Sequence, residues 1–189
     1  PDVLEIYKTD RGAQGYGDFS SLGIDLSTTW IITSKDRLNL SLSYLNSEWE
    51  TLVLYFEYPR VFPTENYKGV KPANAPEWAL TANYQHNFTL GALGTLTPKI
   101  DMKYKTEYDA VAEYDKNQDP NNYGYQEAYT TWDASAAFQH SSGKWSLNAY
   151  VKNITDYAVK TQAYVKEDGC EMRLGDPRTY GVTFSYNFF

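Results

Sequence analysis

The sequence predicts an all-β chain whose antiparallel strands form part of the wall of a transmembrane β-barrel. Three observations lead there. Alternation with a period of two residues recurs in seven segments, the connections between them are short and long by turns, and aromatic residues collect near segment ends. Period-two alternation alone is shared with a soluble antiparallel sandwich, which buries one face and wets the other. Strand length and loop asymmetry separate the two.

Composition agrees. Of 189 residues 42% are hydrophobic, and 18 Tyr, 5 Trp and 8 Phe make 16% of the chain, yet the mean hydropathy is -0.59. Aromatic strands with polar alternate positions reconcile these values, because averaging over both faces hides an apolar one. No window approaches the roughly 18 to 20 consecutive apolar residues of a spanning helix, which excludes a helical membrane protein. The net charge of -7, with no Lys/Arg cluster, argues against nucleic acid as a partner. Cys170 is the single cysteine, so neither an internal disulfide nor a thiolate zinc site is available. The opening PDVLEIYKTD lacks the charged and apolar regions of a signal peptide. The expectation is a leader already removed, or a chain that starts inside a longer polypeptide.

Residues 1–21 are rich in Gly and Asp, with only Val3 to Tyr7 able to make a short strand; they read as the end of a preceding hairpin and its loop. Residues 22–189 read as barrel strands. Leu22, Ile24, Leu26, Thr28, Trp30 and Ile32 make the first apolar face, and Ser34, Lys35 and Asp36 a tight turn. Leu38, Leu40, Leu42 and Tyr44 resume that face against Asn39, Ser41 and Ser43, in a strand continuing towards Tyr55. A long loop punctuated by Pro59, Pro63, Gly69, Pro72 and Pro76 follows. The third strand opens at Glu77 and presents Trp78, Leu80, Ala82, Tyr84, His86 and Phe88, before a turn at Gly91 to Gly94.

The fourth strand runs from Leu96 to Tyr108, with Leu96, Ile100, Met102, Tyr104 and Tyr108 on one face. Lys99, Asp101, Lys103, Lys105, Glu107 and Asp109 line the other. Its length exceeds the roughly 9 to 11 residues that a tilted strand needs to cross a bilayer. Charges on a lipid face would cost about 2 to 4 kcal/mol each at the midplane, so this stripe is expected to face a water-filled or plugged lumen. A polar loop, Asp115 to Tyr125, precedes a fifth strand with Trp132, Ala134, Ala136 and Phe138 apolar; His140 to Gly143 turn it into a sixth, Trp145 to Lys152. After a last loop containing Cys170, the seventh strand puts Tyr180, Val182, Phe184, Tyr186 and Phe188 on one face. Trp30, Phe88, Trp145 and Phe188 fall on the short-turn side and Trp78, Tyr108 and Tyr180 on the other, as two interfacial girdles.

The segments VKNITDY (151–157) and LGDPRTYGVTFSYNF (174–188) resemble the carboxyl-terminal end of TonB-dependent outer-membrane receptors, with support from NAPEW (74–78) and the fourth strand. These motifs also have a direct physical reading. Asn153, Thr155 and Asp156 have short side chains that bond nearby backbone and end regular pairing. Pro177 suits a strand's first residue because it lacks an N–H. Arg178 suits pairing with a loop carboxylate or a lipid headgroup, or plain solvation.

The resemblance implies a 22-stranded barrel of which these seven strands are about a third, with a plug domain and about 450 further residues upstream. It implies outer-membrane lipid, the plug and remaining strands, TonB and the barrel-assembly machinery as partners. The assembly signal would lie in Tyr186, Phe188 and Phe189, with Phe189 out of phase. An iron-siderophore, cobalamin or other bulky nutrient would be the solute, with no cofactor and no enzymatic activity. Tyr67, Tyr123, Tyr125 and Tyr164 are candidate loop contacts for a flat or catecholate ligand.

Other chemistries find little support. A hydrolase needs a nucleophile beside a base; His86 reads as interfacial and His140 as a solvated turn residue. Asp115, Asp119, Glu167 and Asp168 lack ordered metal-ligand spacing. Asn39, Asn87 and Asn153 match a glycosylation pattern but sit on or at the ends of strands. The alternatives retained are a small passive barrel or adhesin, and a secreted carbohydrate-binding sandwich.

Overall fold

Alternation becomes a single antiparallel sheet in the computed structural model, which describes residues 7–8, 13–56, 68–111, 121–166 and 169–188. In chain order the strands are β1 Tyr7–Lys8, β2 Ala13–Ile31, β3 Asp36–Phe56, β4 Trp78–His86 and β5 Phe88–Thr89. They continue with β6 Gly94–Lys105, β7 Tyr108–Asp109, β8 Tyr125–Gln126, β9 Tyr129–His140 and β10 Trp145–Lys152. The last are β11 Lys160–Lys166, β12 Gly169–Leu174 and β13 Thr179–Tyr186. The main sheet has the order β1-β2-β3-β4-β6-β9-β10-β13, with β5 extending β4 along β6. Seven long strands thus form an up-and-down meander in sequence order, in which each pair is antiparallel.

The division of faces follows the pleat. Leu22, Ile24, Leu26, Trp30, Ile100, Leu147, Val182 and Phe184 are exposed apolar residues on one face, while Ser, Thr, Asn and charged residues alternate with them on the other. Tyr180 and Phe188 are 82% and 84% exposed. Among the described residues no second sheet covers this apolar face, and the buried hydrophobics are Trp49, Tyr108, Ala110, Val111, Ala163 and Val165. A sandwich would place its core between sheets. The retained sandwich alternative is therefore corrected: the sheet is a single layer with an apolar side built for a nonaqueous neighbour.

Two boundaries differ from the sequence reading. Strand β2 begins at Ala13, inside the stretch read as loop, and pairs with a β3 that reaches Phe56, in line with the expected run towards Tyr55. Between Asp18 and Phe19 the register shifts, leaving Glu50 as the extra residue of a bulge. The bulge reverses parity on β3 and leaves that of β2 intact. Phe19 packs tilted on Trp49, 5.2 Å between centroids, on the side opposite Leu22 and Ile24. The glycines and polar residues of 13–21 leave no apolar period-two face to mark this half of β2. Residues 68–77 then run beside β3, with Trp49 N–H donating to Val70 O at 3.0 Å and Leu45 N–H to Glu77 O at 2.9 Å.

The second difference is at β6, which stops at Lys105 rather than Tyr108. Thr106 leaves the ladder to bond Trp78, and Tyr108 enters a small separate sheet, β7 with β8. Tyr108 is 8% exposed, so it is no girdle residue. Within the wall, the gap between β4 and β5 falls opposite Thr97 and Pro98, where proline has no N–H for the ladder. Pairing resumes in the same register at Phe88↔Leu96.

The turn before β6 is fixed by sterics. A Cβ on Gly94, whose φ is +133°, would lie 2.0 Å from the Gln139 carbonyl oxygen. The turns at 91–94 and 140–144 are tied together by Ser141 Oγ donating to Ala92 O at 2.6 Å. In this up-and-down order the short turns fall on one rim and the long connections leave from the other.

Candidate functional site: the polar face and the loop cap

The polar face carries a row of directly opposed residues: Thr29↔Asn39, Asn39↔Asn83, Asn83↔Asp101 and Asp101↔Asp133. Register alone brings them together, one residue per strand, and their side chains bond in series. Thr29 Oγ1 donates to Asn39 Oδ1 at 2.9 Å, Asn39 Nδ2 to Asn83 Oδ1 at 3.0 Å, and Asn83 Nδ2 to Asp101 Oδ1. Two carboxylates directly opposite would repel. Here Lys99 pairs with Asp101 at 3.0 Å and Lys103 with Asp133 at 3.5 Å, so each carries its own counter-charge.

Of the predicted charged stripe, the structure keeps Lys99, Asp101, Lys103 and Lys105 on one face of β6. Glu107 and Asp109 lie beyond the end of that strand, Asp109 in β7. Their assignment to a single stripe is corrected, because the chain leaves the wall at Thr106. Asn39 and Asn83 were legible as polar-face residues, but their place in one row depends on cross-strand register. Asp133 was missed altogether; its parity on the fifth strand was the available signal.

The motif residues converge at the opposite rim. Asn153 holds φ +48° and Asp156 φ +54°, a conformation that asparagine and aspartate tolerate better than most residues. Asn153 Nδ2 donates to Tyr157 O at 3.0 Å and to Asp176 O at 3.1 Å, while its Oδ1 accepts from Tyr157 N–H at 3.1 Å. Its backbone N–H donates to Asp133 Oδ1 at 2.8 Å. Thr155 Oγ1 approaches Asn153 Oδ1 at 3.4 Å. Arg178 N–H donates to Asp156 Oδ1 at 2.8 Å, and its guanidinium reaches Ile154 O at 3.3 Å and Asp156 Oδ2 at 3.7 Å. Of the three roles open to Arg178, the structure thus gives it the loop carboxylate. Pro177 directly precedes Arg178, ahead of β13. The two motifs lock to each other and close the loop 153–178 at its base.

Above that base, the second and third long loops build a cap with its own core. Tyr108, Ala110 and Val111 pack with Ala163 and Val165, with Tyr129 and Cys170 against them. Val111 bridges to Ala163, whose N–H donates to Ala110 O at 2.9 Å. Gln126, 2% exposed, is the keystone: its Oε1 accepts from Lys160 N–H at 2.8 Å and its Nε2 donates to Glu127 O at 2.8 Å and to Tyr157 Oη at 3.1 Å. Tyr108 Oη donates to Lys160 O at 2.9 Å. Burial first, then its hydrogen bond with Tyr129, pushes the Tyr108 phenol above the usual range. Tyr157 stacks on Tyr129 at 5.6 Å.

The candidate ligand tyrosines are spread over this cap. Tyr123 and Tyr125 are exposed, and Tyr164 lies on β11 between the buried Ala163 and Val165. Tyr125 borders a cleft of about 230 Å³ with Asn122, Gln126, Glu127, Tyr157 and Lys160. Tyr67, Asp115, Asp119, Glu167, Asp168 and Phe189 lie outside the described residues. No group of three or more potential metal ligands occurs among the described residues. On the short-turn rim, His86 Nδ1 lies 2.5 Å from Asp36 Oδ1, which Tyr84 Oη also reaches at 2.6 Å.

The family described as "TonB dependent receptor-like, beta-barrel" matches residues 11–154. No curated protein matches the chain by sequence. Among solved structures, the chain is similar to the ferric yersiniabactin uptake receptor FyuA from Yersinia pestis, with a TM-score of 0.70 and 16% identity over 97% of this chain and 29% of that one. It is similar to the siderophore receptor PiuA from Acinetobacter baumannii, with a TM-score of 0.65 and 19% identity over 89% of this chain and 22% of that one. It is also similar to the ferric-catecholate import receptor Fiu from E. coli K12, with a TM-score of 0.58 and 16% identity over 98% and 23%. The chain therefore spans less than a third of the length of each of these receptors.

Proposed function

This chain belongs to the TonB-dependent receptor β-barrel family, and from that premise we propose that it is a seven-strand part of the wall of an outer-membrane receptor importing a bulky iron-siderophore. The observation that carries the reading is the division of the single-layer sheet: apolar and exposed on one face, a bonded polar row on the other. Such a sheet suits lipid outside and water or a plug inside. The short-turn rim faces the periplasm and the loop cap the exterior. Closure of a 22-stranded barrel falls to segments outside this chain, as do the plug and the contact with TonB. By the family resemblance, Tyr186, Phe188 and Phe189 would be the residues read by the barrel-assembly machinery. Siderophore receptors among the structural neighbours support iron-siderophore uptake as the activity.

The test is to recover the polypeptide from outer membranes, measure its intact mass and sequence its amino terminus. A detergent-requiring chain several times this size with a globular amino-terminal domain is expected. Recovery in water without detergent refutes the membrane reading, and a product starting at Pro1 leaves a small passive barrel or adhesin. For the solute, a deletion strain is grown under iron limitation with ferric siderophores supplied singly; loss of growth on one of them identifies it. Undiminished growth on all of them refutes iron-siderophore import.

A further inference from the structure

We propose that Asn153 is a positioning residue that couples the lumen carboxylate Asp133 to the order of the extracellular cap. The inference rests on the receptor reading above and adds a route of communication inside the wall. Asp133 is the last member of the polar row, and its carboxylate is shared: Oδ2 pairs with Lys103 and Oδ1 accepts the Asn153 backbone N–H. The same Asn153 uses its side-chain amide outside the wall, holding Tyr157 and Asp176.

From Tyr157 the contacts continue without a break. Its phenol accepts from Gln126, Gln126 accepts from Lys160, and the Lys160 carbonyl accepts from the buried Tyr108. Ala163, three residues on from Lys160, bonds across to Ala110. A perturbation at Asp133 therefore has one junction to pass before it reaches the cap core.

Asn153 is suited to act as that junction because its backbone and its side chain are held from opposite sides. Its φ of +48° is a conformation it holds only while its surroundings hold it there. The Asp133 bond fixes the backbone side and the Tyr157 and Asp176 bonds fix the side-chain side. Releasing the first removes one restraint on a strained residue, and the amide then leaves its loop partners more readily. A cation arriving in the lumen and competing for Asp133 would act in this direction, so the state of the lumen is expressed outside as looser packing of residues 157–165. Coupling of this kind is reciprocal: ordering of the cap by a docked solute strengthens the hold on Asp133.

The experiment is amide hydrogen exchange on the full-length receptor in detergent, reading peptides over 108–111 and 157–165. Asp133→Ala is expected to accelerate exchange over 157–165 by about tenfold, the loss of one charge-assisted hydrogen bond. Asp133→Asn keeps an oxygen acceptor and should stay near wild type. Asp101→Ala, on the same row but with no bond to Asn153, should leave the cap unchanged. Asn153→Gly keeps the backbone conformation and the N–H but lacks the amide; its cap exchanges faster, and adding Asp133→Ala should add nothing further. Equal loosening by Asp101→Ala overturns the proposal as general softening of the wall. Unchanged exchange in Asp133→Ala, or additive effects in the double variant, overturns it outright. Failure of the receptor reading would instead appear as a protein that needs no detergent.

Discussion

Moving one arginine by one residue tests the two-faced wall directly. Leu40 and Ser41 are neighbours on β3, and the pleat sends their side chains to opposite faces. Leu40 lies midway between Asp36 at the short-turn rim and Tyr44, which packs on Trp78 at 4.6 Å. Four residues of strand cover about 13 Å, which a tilt near 40° reduces to about 10 Å of depth, close to the middle of an apolar band about 25 Å tall. Leu40→Arg is therefore expected to destabilise the folded barrel by about 2 to 4 kcal/mol. Ser41 is flanked by Ser27 and Thr81 in register, which leaves room for a long side chain facing the lumen. Ser41→Arg should cost less than about 1 kcal/mol, within the range of a solvated substitution. The assay is a urea titration of the full-length receptor folded into phospholipid vesicles, followed by Trp fluorescence and by heat-modifiable mobility on gels. Equal costs at the two positions, or a neutral Leu40→Arg, would refute the assignment of faces.

Three further outcomes follow from local geometry. Gly94→Ala should abolish assembly, because its Cβ meets backbone at 2.0 Å, whereas Gly91→Ala, with φ +59° and open space around it, should cost only about 1 to 2 kcal/mol; yields of heat-modifiable barrel separate the two. Gly181→Val should displace the Tyr150 ring, whose Cζ would lie 2.7 Å from an added Cβ, and cost about 1 to 3 kcal/mol. Truncating Tyr150 to Ala in that background should recover much of the loss in the same urea titration. At the short-turn rim, hydrogen bonds from Thr33, Tyr84 and His86 hold the Asp36 carboxyl well below the usual carboxylate range. A depressed carboxylate stabilises the fold above its unfolded value near pH 4 and loses that contribution as pH falls towards its folded value. Asp36→Asn should accordingly flatten the acid limb of a stability-versus-pH curve.

What could be read from sequence was whatever depends on parity and on local chemistry. Seven alternating segments correspond to seven strands, and Asn153, Thr155 and Asp156 read as a local terminating device because their short polar side chains bond nearby backbone at a strand exit; the partner of Arg178 was not legible. Properties set by register were illegible. Nothing in the isolated strands aligns Asn39 with Asn83 and Asp101; the short turn at Gly91 bears on Asn83↔Asp101, but Asn39↔Asn83 joins strands linked by a long connection whose length does not fix register. Residues 13–21 are mostly glycine and polar, with Phe19 on the face opposite Leu22, so no alternation marks the first nine residues of β2. Tyr108 fits the lipid-facing parity of β6, and only the departure at Thr106 removes it to the cap core. The cap itself was invisible because its strands are short and its core residues come from loops more than fifty positions apart, as Tyr108 and Val165 are.

The edges of the sheet carry the last consequence. Among the described residues, strand β2 meets β1 at Tyr7↔Gly15 and Lys8↔Gln14, and β13 pairs on one side with β10. Along the membrane-facing lengths of both strands, every second residue turns its backbone N–H and C=O away from the sheet. In hydrocarbon each such group costs several kcal/mol if left without a partner. Summed over even eight exposed groups, the cost is on the order of tens of kcal/mol, well above the roughly 5 to 15 kcal/mol that holds a typical domain together. The described sheet therefore cannot rest in a bilayer with both edges bare. On the receptor reading proposed above, strands pairing with β2 and β13 complete the ring, and the apolar face and the polar row then serve as lipid wall and lumen.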